Sequence, residues 1–140
     1  MGSVIFIDTS VFVAILAREP DARRLARAVS EAELRLTSPV VRLETSIVLA
    51  SRLDLSPSQA QGLFDDFLQE ASITEISLGP VEGVAAVRCF ETFGKGRHSA
   101  RLNFADCLVY ASARGAGARL LYKGDDSPRP TSTAEPSVEP

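Results

Sequence analysis

Lysine, cysteine and histidine are all scarce in this chain of 140 residues. It holds one histidine and two cysteines, and only Lys95 and Lys123 are lysines among its 15 basic residues; the other 13 are arginine. Cys89 and Cys107 make no disulfide framework and lack the x₂ spacing of a metal knuckle. They read as two reduced, buried thiols of a cytoplasmic protein. No stretch approaches the ~20 apolar residues that a membrane span requires. The longest apolar run near the N-terminus, residues 11–17, has Asp8 close before it and no cleavage-site pattern after it, so secretion is not expected. A positive excess is missing too. The 18 acidic residues outnumber the 15 basic ones, for a formal charge of -3, which disfavours binding of nucleic acid by gross charge. What is present suits a single domain: the chain is 45% hydrophobic, and a chain of this length can bury about 68% of its unfolded surface.

The order of segments argues for alternating strands and helices. Val4-Ile5-Phe6-Ile7 is an apolar run without alternation, the mark of a strand covered on both faces. Thr9 or Ser10 can cap a helix running to about Ala17, and a second helix follows Glu19-Pro20-Asp21 to about Ala32. Ser38-Pro39 and Ser56-Pro57 each place a cap before a proline at the first helical position, and open helices to about Leu53 and Glu70. Gly79-Pro80 opens another to about Phe93, and a last helix covers residues 103–114. Short strands are expected at residues 35–37, 73–76 and 119–122. From residue 127 the composition changes: four of the eight prolines and a single large aliphatic residue fall in 127–140, a tail expected to be disordered. The folded part, residues 1–126, is expected to be an α/β three-layer sandwich with right-handed crossovers.

Most acids, Glu31, Glu33, Asp65 and Asp66 among them, fall on helix faces that read as solvated. Four positions do not. Asp8 follows the first buried strand directly, where ligands bind in open parallel sheets, although an Asp there can equally cap the next helix. Glu44 has Val40, Val41, Ile47 and Val48 three and four residues away, so its charge needs a cation or an arginine partner. Asp106 repeats the pattern among Leu102, Val109 and Tyr110, with Asn103 able to orient it. Asp125 and Asp126 follow the last strand, in a place where a solvated turn is the competing reading. In a parallel sandwich these acids can converge at one sheet edge. Like charges so placed repel, and hard divalent cations such as Mg²⁺ or Mn²⁺ resolve the repulsion. With no His or Cys in the set, Zn²⁺ is disfavoured. The chemistry that fits is metal-assisted attack on a phosphoryl group.

Four segments carry a resemblance. Ile7-Asp8-Thr9-Ser10, Ser38-Pro39-Val40-Val41-Arg42-Leu43-Glu44, Leu102-Asn103-Phe104-Ala105-Asp106-Cys107 and Leu120-Leu121-Tyr122-Lys123-Gly124-Asp125-Asp126 resemble the acidic motifs of PIN domains. More narrowly, they resemble VapC-type toxins of toxin–antitoxin pairs, over about residues 3–126. The resemblance implies a PIN-like α/β/α sandwich with a mainly parallel sheet and a Mg²⁺- or Mn²⁺-dependent endoribonuclease. It also implies a homodimer and inhibition by a cognate VapB-type antitoxin. Carried over residue by residue, Asp8, Glu44 and Asp106 would be catalytic metal-site acids. Asp125 would be the fourth, with Asp126 its competitor. Thr9 or Ser10 would bond Asp8 or a metal water, and Asn103 would orient the neighbouring carboxylate. The loop before the third motif, with Lys95, Arg97, His98 and Arg101, fits an RNA-binding rim or an ordinary solvated loop.

The end departs from the family, which usually continues with Phe, two residues, then Thr-Asp-Ile, where this chain reads Ser127-Pro128-Arg129-Pro130-Thr131-Ser132. Stepping the implied codons back one base permits Phe-Ala-Pro-Thr-Asp-Ile, so the tail reads as a frameshifted ending. The gene's codons test this. A second hypothesis follows: a PIN-like domain that binds antitoxin or RNA but cleaves poorly because of its altered end. Phosphoaspartyl phosphatases, a third class, want a second Asp two residues after the first, where this chain has Ser10, and receivers want an acidic pair before a later strand Asp; neither pattern appears. Setting four proposed ligands aside leaves 14 acids against 15 bases, so the net charge itself does not speak against RNA.

Overall fold

The computed structural model describes residues 2–94, Gly96 and residues 102–124. Lys95, Arg97, His98 and Arg101 of the basic loop, Asp125 and Asp126 of the fourth motif, and the tail at 127–140 lie outside the described residues.

β1 (Val4–Ile7) places Ile5, Phe6 and Ile7 in full burial, as its unbroken apolar run requires. It is flanked by β2 (Leu34–Thr37) on one side and β4 (Arg119–Leu121) on the other, and β3 (Thr74–Glu75) lies outside β2. Every neighbouring pair is parallel, with Phe6 level with both Leu36 and Leu120. Parallel strands need long crossovers. Here each crossover carries two helices: α1 (Thr9–Leu16) and α2 (Ala22–Glu31), then α3 (Pro39–Leu53) and α4 (Pro57–Glu70), then α5 (Pro80–Phe93) and α6 (Phe104–Gly115). The result is the expected α/β/α sandwich, with its sheet parallel throughout the described strands.

The main core gathers around β1, where the Phe12 ring lies 4.7 Å from that of Phe64 and 5.9 Å, edge-on, from that of Phe67. A smaller cluster joins α5 to α6 through Phe93, Tyr110 and the two free cysteines, both buried. The hydrogen bond between Cys89 and Cys107, together with burial, pushes the Cys89 thiol up.

Proline at the first helical position starts α3, α4 and α5 where the sequence places them. Three details differ. The cap of α1 is Asp8 rather than Thr9 or Ser10. Ser38 occupies the cap position of α3 but makes no capping bond, and its hydroxyl is buried without a hydrogen-bond partner. β3 has two residues instead of four, pairing only with Leu36 and Thr37 of β2.

The strand order fixes where a ligand can sit. The chain runs from β1 outward to β2 and β3, then returns to the far side of β1 for β4. The connection leaving β1 leads to β2 while the one reaching β4 returns from β3, so the strand order reverses between β1 and β4, and the carboxyl ends of these two strands form a crevice at the topological switch point.

Candidate active site

Asp8 is the first residue beyond β1 and sits in that crevice. Its backbone N–H donates to the Leu121 carbonyl at 3.0 Å, tying it to the end of β4. Its Oδ2 accepts from the Ser10 backbone N–H at 3.1 Å and from the Ser10 hydroxyl at 2.7 Å. The capping and site readings of Asp8 are thus compatible: the cap bond holds a carboxylate that is only 4% exposed.

Glu44 lies in the second turn of α3, half-buried beside the same crevice. The Thr9 hydroxyl donates to its Oε1 at 2.7 Å. Of the two hydroxyls expected near Asp8, Ser10 serves Asp8 and Thr9 serves Glu44. The apolar surroundings expected for Glu44 are only partly core, since Ile47 is exposed while Val41 is fully buried.

Asp106 is in the first turn of α6. It closes a capping box with Asn103: the Asp106 N–H donates to Asn103 Oδ1 at 2.9 Å, and Asp106 Oδ2 accepts from the Asn103 N–H at 3.1 Å. Asn103 does orient this carboxylate, through its backbone and not its side chain.

A cleft of about 270 Å³ joins the three. Asp8, Thr9, Ser10, Glu44 and Asp106 line it, so three acids from three different elements share one surface. Glu19, Arg52 and Lys123 line it as well, and none of these was singled out from the sequence. Glu19 accepts from both Lys123 Nζ and Arg52 Nη1, and Lys123 Nζ is also 3.7 Å from Asp21 Oδ1. The hydrogen bond from Lys123, with that from Arg52, holds the Glu19 carboxyl below the usual carboxylate range; the same contact raises the Lys123 ammonium. One signal for Arg52 was available, since Glu44, Val48 and Arg52 are spaced by four and form one helical stripe. Glu19 carried none. It reaches the cleft because α1 ends in a Schellman turn, with Arg18 left-handed at φ 57° and the Glu19 N–H on the Ala14 carbonyl.

The donor set suits a hard divalent cation, being all carboxylate oxygen. Among the described residues, however, no three His, Cys, Asp or Glu side chains form a group that could hold a metal ion. Asp8, Glu44 and Asp106 share the cleft while each is held by its own neighbour. No described helix is long and apolar enough to cross a membrane.

The PIN domain family model matches residues 5–131, running past the fourth motif into the proline-rich stretch. VapC ribonuclease Mb0640 of Mycobacterium bovis is 39% identical over 120 residues, covering 86% of this chain and 89% of that protein. Ribonuclease VapC of Mycolicibacterium smegmatis is 41% identical over 119 residues, covering 85% and 90%. Among solved structures, VapBC2 from Rickettsia felis, bound to a DNA fragment from its promoter, superposes with a TM-score of 0.65 at 17% identity, covering 86% of this chain and 88% of that one. At that identity the likeness is one of fold.

Proposed function

The chain belongs to the PIN-domain family and is closely related to VapC-type ribonuclease toxins, and from that premise we propose that it is a divalent-cation-dependent endoribonuclease, the toxin of a toxin–antitoxin pair. One observation carries the reading: Asp8, Glu44 and Asp106 line a single cleft at the sheet's switch point. Its partners on this reading are an RNA substrate, a VapB-type antitoxin and a second copy of the chain.

Asp8 and Asp106, with Glu44, would hold Mg²⁺ or Mn²⁺; Asp125, or Asp126 in its place, would complete the set. When bound, the cation supplies Lewis acidity at the scissile phosphate and an activated water. The chain's own part is positioning. Ser10 fixes Asp8, Thr9 fixes Glu44, and the Asn103 backbone fixes Asp106, so the carboxylates need little reorganisation when the phosphodiester arrives. Lys95, Arg97, His98 and Arg101 would hold the flanking phosphates.

The test is cleavage of RNA by purified protein. Cleavage should require Mg²⁺ or Mn²⁺ and stop with EDTA, and Asp8→Asn or Asp106→Asn should lower it on the order of 100-fold or more. A clean, folded protein that binds RNA or antitoxin without metal-dependent cleavage would establish the second reading, a binding domain impaired at its altered end. That reading draws on the ending after Asp126, which departs from the family's usual one.

A further inference from the structure

Three charged side chains in the cleft have no part in the chemistry above. Glu19 is 15% exposed, Arg52 53% and Lys123 39%. They come from three separate places: the turn after α1, the last turn of α3, and the residues following β4. One carboxylate thus gathers two cations in a cleft that Asp8, Glu44 and Asp106 also line. Only one guanidinium nitrogen of Arg52, Nη1, lies on Glu19; a guanidinium carries five N–H donors and an ammonium three, so both cations keep donor capacity for an anion. The charge of the trio is +1.

The placement of Lys123 relative to the acids is fixed by the backbone. The Lys123 N–H donates to Ser10 Oγ at 2.9 Å, and that hydroxyl donates to Asp8 Oδ2 at 2.7 Å. One serine thus sets the spacing between the lysine and the acid. On the reading of the site as a ribonuclease centre, we propose that Lys123 and Arg52, gathered by Glu19, form a fork for the RNA backbone that takes the phosphodiester next to the one being cut. Guanidinium and ammonium groups match phosphate oxygens, and a contact to a neighbouring phosphate sets register without reading sequence.

An ion-pair network that only braces the fold predicts something different. It is broken equally by removing either partner, whereas a fork loses RNA only when the cations go. The experiment measures affinity for a labelled, mixed-sequence single-stranded RNA against salt concentration, using the full chain silenced by Asp106→Asn. Adding Lys123→Ala and Arg52→Ala together should flatten the dependence of log K on log[salt] by about 0.7, as expected for losing one phosphate contact to a single strand, and each alone should flatten it by part of that. Lys123→Arg should restore it. Glu19→Gln should leave the slope undiminished and the affinity equal or higher, even as it lowers thermal stability. Slopes unchanged by losing both cations, in a chain that binds RNA, would overturn the fork alone. Failure of the unsubstituted chain to cut or bind RNA would overturn the ribonuclease reading and the fork with it.

Discussion

At the scale of single residues, each cleft carboxylate owes its position to a donor close in sequence or one crossover away. Thr9 is the informative case, because its hydroxyl is its sole reason to prefer threonine over valine at a buried position 35 residues from Glu44. A hydrogen bond to a charged group contributes about 1.5–3 kcal/mol. Thr9→Val should therefore lower the unfolding free energy by about 1.5 kcal/mol, read from urea midpoints at constant m-value, and should also slow RNA cleavage by loosening Glu44. An unchanged midpoint would show that the hydroxyl does not bear on Glu44. The acids themselves were legible in the sequence, since a carboxylate after a buried strand or among apolar helical neighbours is costly without a purpose. The assignment of the two hydroxyls was not: adjacent residues on a helix start point in different directions, and which one meets Glu44 depends on how α1 packs on α3. Glu19 was illegible for a related reason, its partners being 33 and 104 residues away.

At the scale of elements, the helix stops were legible to within one residue and the starts nearly so, while the devices that cap and end each helix were less legible. Ser-Pro marks both α3 and α4, yet the two serines do different things. Ser56 accepts from the Gln59 N–H at 3.1 Å, and Gln59 Oε1 accepts from the Ser56 N–H at 2.9 Å, a complete capping box. Ser38 makes no such bond. Ser56→Ala should cost about 1 kcal/mol, whereas Ser38→Ala should be near neutral, since it removes a buried hydroxyl with no partner. Chemical denaturation of the two variants side by side checks the contrast. Sequence reasoning gave both serines one role because the motif is the same; the difference lies in the backbone and packing that precede each helix. The stops show the same limit in how they are made, though not in where they fall. Gly117, left-handed at φ 66°, follows the end of α6, but α1, α3 and α4 end at left-handed Arg18, Asp54 and Ser72. These residues do not advertise a positive φ.

At the scale of the whole molecule, Glu19 links the end of α1 to α3 and to the segment after β4, so its ionisation bears on how those parts stay together. Its carboxyl is held low in the folded chain, chiefly by Lys123. A depressed carboxylate contributes stability above its unfolded pKa and loses it as pH falls through the folded value. Wild-type protein should therefore exceed Glu19→Gln in stability near pH 7, with the gap closing below about pH 4. Urea titrations across that range measure it; a gap independent of pH would mean that Glu19 acts by packing, not charge. The pairing of β1 with β4 has a consequence in time as well as in space. The strand before Asp8 is synthesised well ahead of its partner, so the crevice between them cannot close until translation has passed residue 121. At about 5–20 residues per second, the chain spends roughly 6–24 seconds of its synthesis without that crevice. A protein proposed to cut RNA would acquire its working cleft only after every other described strand and helix has been made.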